Sequence, residues 1–393
     1  MYALRLRFAL LALTCGALFS AQPEAAESFQ STAPFALLMD YDTGAVLYEK
    51  SADEPMIPAS TTKMLTAEIA FRELKEGRLH LDDVFEVSEN AWRTGGAKSH
   101  GSTMFLELHS KVRVEDLLRG LVIQSGNDAA IVLAEGIAGT ESNFAGMMNK
   151  RAAEIGMAHS TFTNPWGNPD PHQRVTPRDM AHLAAYIIAT YPDYYRYFGE
   201  KDFTWNKIRQ LNRNPLLTMS LGADGLKTGD TAESGFGLVG SAVENGQRLI
   251  LVINGMKTAT DRSEEARKLL NWGFRSFDVK SLFEAGDIIG SASVFGGARS
   301  ELPLVAEAPI KIFVTRGSTD KLIAKIVYKG PLPAPIAQGE EVAHLKVWRG
   351  ASEVLDAPLK TATSVATGTL SQRALDAGIE MASGLIRKTF AKN

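Results

Sequence analysis

The chain of 393 residues reads as a mixed α/β (α+β) domain followed by a small C-terminal all-β domain. Three observations predict this. Amphipathic helical runs and short apolar strands intermingle from Phe35 to Phe277. Beyond Phe277 the helical period gives way to short strands set off by Gly and Pro. The composition, 45% hydrophobic and 22% charged, is that of a globular protein and argues against disorder, collagen-like sequence or a simple repeat array.

The first 26 residues stand apart. Arg5 and Arg7 precede an apolar run from Phe8 to Phe19, and no acid occurs before Glu24. A basic start and a short apolar stretch read as a secretory signal. A bilayer span needs about 20 apolar residues, more than this run has. Ser20, Ala21, Ala25 and Ala26 are all candidate cleavage ends. Cys15, the only cysteine, lies inside the apolar run, and Leu13-Thr14 before it fits a lipoprotein signal poorly. The expected mature protein is exported and cysteine-free, which excludes an internal disulfide and cysteine-based zinc modules.

Residues 35–50 read as a hairpin of two apolar strands around Asp42-Thr43-Gly44. Pro58-Ala59-Ser60 opens a helix, with Ser60 as its cap and Met64, Leu65 and Ile69 at helical spacing. Val114–Leu121 and Ala129–Ile137 are predicted helices split by Ser125-Gly126-Asn127. Pro177–Ile188 is another, capped by Thr176. Phe236–Val243 and Arg248–Gly255 are strands joined at Glu244-Asn245-Gly246, and Arg262–Phe274 is a helix.

In the second domain, Ile310–Thr315, Leu322–Lys329 and Glu341–Trp348 are predicted strands, and Pro331, Pro333 and Pro335 mark a loop. Residues 356–370 read as an Ala/Thr-rich linker. In the final segment, 371–393, Leu375, Ile379, Ala382, Ile386 and Phe390 share one helical face. Arg373, Glu380, Arg387 and Lys388 lie opposite, and the segment holds four basic and two acidic residues. Such a helix suits a membrane interface. A helix packed on its own β domain has the same pattern.

Forty-two basic and 45 acidic residues leave a formal charge of −3, which argues against a nucleic-acid-binding protein. There is no His-Glu-x-x-His, no Gly-x-Ser-x-Gly elbow and no Walker phosphate loop. The seven histidines do not pair at metal-ligand spacing. Three short motifs remain. Ser60-Thr61-Thr62-Lys63 is a Ser-x-x-Lys that puts both side chains on one helical face. A serine needs a base to become nucleophilic, and a desolvated lysine beside other cations can serve. The amides at a helix start can also hold an oxyanion. Ser125-Gly126-Asn127 is a Ser-x-Asn. Lys227-Thr228-Gly229 suits a strand edge where a ligand backbone approaches closely.

Each motif alone is weak. Ser318-Thr319-Asp320-Lys321 and Ser88-Glu89-Asn90 repeat two of the patterns. The ordered set is specific: Ser125 follows Ser60 by 65 residues, and Lys227 follows Ser125 by 102. The segments PASTTKMLT, VIQSGNDAA and GLKTG resemble those of the serine penicillin-recognising enzymes. FTNPWGNPDPHQRVTPRDMA and DRSEEARKLLNWGFRSF resemble one branch, the low-molecular-mass (class C) penicillin-binding proteins, the D-alanyl-D-alanine carboxypeptidases. The resemblance covers Phe35–Phe277 and implies a β-lactamase/transpeptidase-like domain with an antiparallel sheet flanked by helices. The implied layout is a signal (1–26), a catalytic domain (30–275), a β domain (276–365) and a membrane-anchoring amphipathic helix (371–393).

By that resemblance Ser60 is the acylated nucleophile, Lys63 its base and Ser125 a proton relay. Asn127 orients Lys63 and the substrate amide. Lys227, Thr228 and Gly229 flank the substrate, with Lys227 supplying charge and Thr228 bonding the terminal carboxylate. Arg262 matches a family arginine that binds the same carboxylate, a task for which a bidentate guanidinium is suited. The backbone N–H groups of Ser60 and Asp230 form the oxyanion hole. Asp230 stands where the family more usually has histidine or phenylalanine, so only its backbone role is implied.

The implied substrate is a peptidoglycan stem peptide ending in D-Ala-D-Ala, and β-lactam antibiotics are expected to acylate Ser60. No metal or organic cofactor is required and no nucleic acid is implied. The implied location is the periplasmic face of the cytoplasmic membrane. A β-lactamase of the same fold would call for a glutamate in Asn164–Val175, which holds Asp170 instead. A D,D-endopeptidase would usually lack the β domain and anchor. A non-catalytic peptidoglycan-binding protein would not be expected to keep all three motifs.

Overall fold

A computed structural model describes residues 29–316, 321–350 and 352–378. The expected signal segment with Cys15, the Ser318 of the second Ser-x-x-Lys and residues 379–393 of the expected terminal helix lie outside the described residues.

The expected hairpin forms from β1 (Phe35–Asp40) and β2 (Val46–Lys50). Thr43 closes its turn by donating from N and Oγ1 to Asp40 Oδ1, each at 2.9 Å. A 3-10 turn, Ala59–Thr62, then leads into α1 (Lys63–Lys75). Ser60 is not the helix cap that the sequence suggests. It lies inside the 3-10 turn, and Thr61 Oγ1 closes the turn on Pro58 O at 2.6 Å.

Two short strands, β3 (Val84–Glu86) and β4 (Lys111–Arg113), pair antiparallel on either side of a π-helical turn, Ala91–Gly95. Then come α2 (Val114–Val122) and α3 (Asn127–Ala138), broken at Ser125-Gly126 as predicted. The next helix, α4 (Glu141–Glu154), has no counterpart in the sequence reading. Its signals are a Thr140 cap accepting from Asn143 N at 3.1 Å and buried Phe144, Met148 and Ala152 at four-residue spacing. Helix α5 (Pro177–Thr190) starts at the predicted Thr176 cap, which accepts from Asp179 N at 3.1 Å.

After α6 (Pro192–Tyr195), β5 (Asp202–Trp205) and β6 (Ile208–Leu211) form a hairpin. Then β7 (Ala223–Thr231), β8 (Gly235–Glu244), β9 (Gln247–Met256) and α7 (Ala259–Ser276) complete the domain. The antiparallel sheet has the order β2-β1-β9-β8-β7, so β7, which carries Lys227-Thr228-Gly229, is an edge strand as predicted. Alternate residues bury opposite faces. Leu37, Val239, Ile250 and Val252 join the helical core, while Ala36, Leu38, Leu249 and Leu251 pack with Leu269 and Leu270 of α7. The sheet is thus held between two apolar layers.

Helix α7 runs straight into β10 (Phe277–Phe283) and the second domain. There β11 (Ile288–Phe295), β12 (Glu301–Val305) and β13 (Ile310–Thr315) precede β14 (Leu322–Val327), β15 (Leu332–Pro333), β16 (Glu341–Arg349) and β17 (Ser352–Thr361). Six strands order as β14-β16-β17-β12-β11-β15, and β10 pairs with β13. The predicted linker at 356–370 is a correction. Its first six residues belong to β17, because pairing with β16 from Arg349↔Ser352 to Glu341↔Lys360 overrides a weak local pattern. Residues 370–378 are helical, and Gly296 N donates to Asp376 Oδ2 at 2.8 Å. Among the described residues no helix is long and apolar enough to cross a membrane.

Candidate active site

The three motifs converge on Lys63. Its Nζ lies 2.9 Å from Ser60 Oγ, 2.8 Å from Asn127 Oδ1 and 2.5 Å from the Trp166 carbonyl oxygen. Two of these neighbours are carbonyls, which only accept. A neutral amine has two N–H bonds and one lone pair. In its neutral form the amine gives both N–H bonds to the two carbonyls and keeps its lone pair for the Ser60 hydroxyl; in its protonated form it donates to all three. Ser60 and Lys63 come together through the 3-10 turn, and α3 brings Asn127 as its first residue.

Backbone strain and close contacts build the rest. Ala59 and Ser125 both take left-handed backbone conformations, at φ +47° and +66°. Such outliers concentrate at functional positions. Ser125 is buried. Gly229 lets β7 press against the Ser60 turn. A Cβ at Gly229 would sit 2.9 Å from Pro58 O and Thr61 N and 3.0 Å from Ser60 N, all backbone atoms. Gly167, at φ +89°, presses on the Ala59 carbonyl from the other side.

The electrostatics favour a neutral lysine. Lys63 is fully buried. Burial first, then the cations Lys227 and Arg213, push its pKa well below the usual lysine range, with Asp128 and Asp230 opposing. Lys227 is also buried and is brought down to about 7 by burial, Arg213 and Arg262. Its Nζ donates to the Thr228 carbonyl at 2.9 Å. Arg262, on α7, is 7% exposed, and its Nε is buried with no partner. Burial and Arg213 lower its pKa, and Asp230 again opposes. A guanidinium whose Nε is buried without an acceptor suits an incoming carboxylate.

Asp128 holds the neighbouring wall. It accepts from Thr103 Oγ1 at 2.6 Å, Met104 N at 3.0 Å and Leu106 N at 3.1 Å, and so pins residues 103–106 against α3. The structure also sorts out the repeated motifs. Ser88 and Asn90 bond Glu135 at 2.6 and 2.9 Å, away from Lys63, and Lys321 sits in the β domain.

Two participants escaped the sequence reading. Arg213 is an exposed rim cation between β6 and β7, and no motif marks it. Trp166 contributes a backbone oxygen, and its only sequence trace is the Asn164–Gly167 turn. Among the described residues no cluster of three or more His, Cys, Asp or Glu side chains is placed to hold a metal ion.

A family profile described as D-alanyl-D-alanine carboxypeptidase matches residues 20–258. The chain belongs to that family. A second profile, the C-terminal domain of penicillin-binding protein 5, matches residues 277–367. The chain is 38% identical over 339 residues to the D-alanyl-D-alanine carboxypeptidase DacA of Haemophilus influenzae, covering 86% of each chain. It is 39% identical over 343 residues to DacC of Escherichia coli, again covering 86% of each. The structure of penicillin binding protein 5 from Haemophilus influenzae superposes with a TM-score of 0.79 at 38% identity, over 86% of this chain and 98% of that one. DacD from Francisella tularensis gives 0.72 at 30% identity, over 90% and 99%.

Proposed function

We propose that the protein is a serine-type D-Ala-D-Ala carboxypeptidase that removes the terminal D-alanine of peptidoglycan pentapeptides. The observation that carries this reading is Lys63 Nζ, 2.9 Å from Ser60 Oγ and within 2.8 Å of two carbonyl acceptors, an arrangement in which a neutral amine keeps its lone pair for Ser60. Lys63 takes the Ser60 proton, and Oγ attacks the carbonyl carbon of the penultimate D-alanine. The N–H groups of Ser60 and Asp230 hold the oxyanion. Ser125 passes a proton to the amine of the departing D-alanine. Water, losing its proton to the same base, then cleaves the acyl ester and frees Ser60. Lys227, Thr228 and Arg262 bind the terminal carboxylate, Gly229 admits the peptide to the β7 edge, and Asn127 steadies Lys63 and the substrate amide.

β-Lactams carry a carboxylate beside a reactive acyl group, so they acylate the same serine. Export by the N-terminal signal places the enzyme on the periplasmic side. The basic amphipathic segment 371–393 lies in the membrane interface, which requires no spanning helix. Deleting it is expected to move the protein from the membrane to the soluble fraction; an unchanged distribution would reject the anchor. Labelled penicillin tests the nucleophile. It should mark the wild type and leave Ser60→Ala unmarked, and equal labelling of both would reject Ser60.

A further inference from the structure

The two carbonyls that orient Lys63 come from separate elements. Asn127 belongs to α3, whereas Trp166 sits on the loop after α4. Some device must keep both in register with Ser60. Part of it is local. Asn164 Oδ1 gathers the N–H groups of Trp166, Gly167 and Asn168 at 3.3, 2.8 and 2.9 Å. Thr66 Oγ1 donates to the Pro165 carbonyl at 2.6 Å and ties the loop to α1.

The other part is a chain of side chains. The Trp166 indole Nε1 donates to Glu141 Oε2 at 3.1 Å. Asn90 Nδ2 donates to Glu141 Oε1 and to Glu135 Oε1, both at 2.9 Å. Ser88 Oγ holds the other oxygen of Glu135 at 2.6 Å. Glu135 lies two turns along α3 from Asn127. The sequence Trp166–Glu141–Asn90–Glu135 therefore links the two elements that carry the Lys63 acceptors.

Two carboxylates converge on one amide, and among the described residues neither has an ion-pair partner. The half-buried Trp166 and Glu141 side chains make no hydrogen bond to Ser60 or Lys63, so their effect passes through the Trp166 carbonyl.

We propose that Glu141 and Trp166 are positioning residues: Glu141 fixes the indole, and the indole fixes the backbone carbonyl that holds one N–H of Lys63. This rests on Lys63 acting as the base for Ser60. Misplacing a catalytic group by a fraction of an ångström to one ångström costs about 10- to 100-fold in rate.

The test follows acylation of the purified protein by a fluorescent penicillin, with thermal melting alongside. Trp166→Phe keeps the ring and loses the donor. Glu141→Ala loses the acceptor, and Glu141→Gln keeps an oxygen for the indole while giving up the bond from Asn90 Nδ2. Trp166→Phe and Glu141→Ala are expected to lower the saturating acylation rate about 10-fold with little change in the half-saturating concentration. Glu141→Gln should recover most of the rate. Wild-type rates in Trp166→Phe and Glu141→Ala would overturn the proposal. So would a loss in Glu141→Gln equal to that in Glu141→Ala, or a loss that merely tracks melting temperature. A wild type that penicillin does not acylate would instead reject the functional reading on which this rests.

Discussion

Replacing Arg262 by methionine separates what this residue does for binding from what it does to the fold. The guanidinium is buried with Nε unpartnered, and Lys227 and Arg213 act on the same field. Leaving such a group without an acceptor costs about 1–3 kcal/mol. The Phe236 ring, 5.9 Å from Arg262 Cζ, returns a smaller amount because it lies at the edge of the cation–π range. Arg262→Met should therefore stabilise the empty protein by about 1 kcal/mol, raising Tm by about 2–4 °C. The same change removes a charge-assisted bond to the substrate carboxylate, worth about 1.5–3 kcal/mol, or about 10- to 100-fold in kcat/KM. Differential scanning fluorimetry and D-alanine release measure the two effects on one preparation. A lower Tm together with unchanged kcat/KM would refute the view of Arg262 as a strained, waiting carboxylate receptor.

Four further outcomes are expected. The two buried lysines have pKa values below that of the unfolded chain, so the unfolded state binds more protons between about pH 7 and 10.5, and stability should rise with pH there. Tm at pH 9 should exceed Tm at pH 7, and Lys227→Met should reduce that difference. Carboxylate binding should run the other way. As pH rises through about 7, Lys227 loses its charge in the empty site, and KM should increase. In Gly229→Ala the new Cβ would meet three backbone atoms at 2.9–3.0 Å, so penicillin acylation should fall by about 100-fold or more, read by gel labelling. Arg151→Ala leaves Glu68 fully buried without the partner it now meets at 2.7 Å, and chemical denaturation should show a loss of about 3–5 kcal/mol.

Side-chain chemistry in ordered motifs was the legible part of this site. Ser60, Lys63, Ser125, Asn127 and Lys227 each have a type that chemistry restricts, and their order is specific where each motif is not. Arg213 was illegible because a single arginine on an irregular connection has no pattern. Trp166 meets Lys63 through its carbonyl, a group every residue has, and the bond of its indole to Glu141 is visible only in the structure. In the fold, alternation and caps disclosed the hairpin, α5 and the β8–β9 pair. Helix α4 was legible in principle, through Thr140 and the spacing of Phe144, Met148 and Ala152. The stretch 356–361, with Pro358 and Ala357, becomes strand by pairing with β16 and, at its end, with β12, contacts the local sequence does not encode.

Incubating the purified protein with a pentapeptide ending in D-Ala-D-Ala, beside Ser60→Ala, tests the chemistry most directly. If Ser60 and Lys63 work as proposed, the wild type releases one D-alanine per peptide and leaves the tetrapeptide, and Ser60→Ala releases none. No D-alanine from the wild type, or equal release from both proteins, would contradict it.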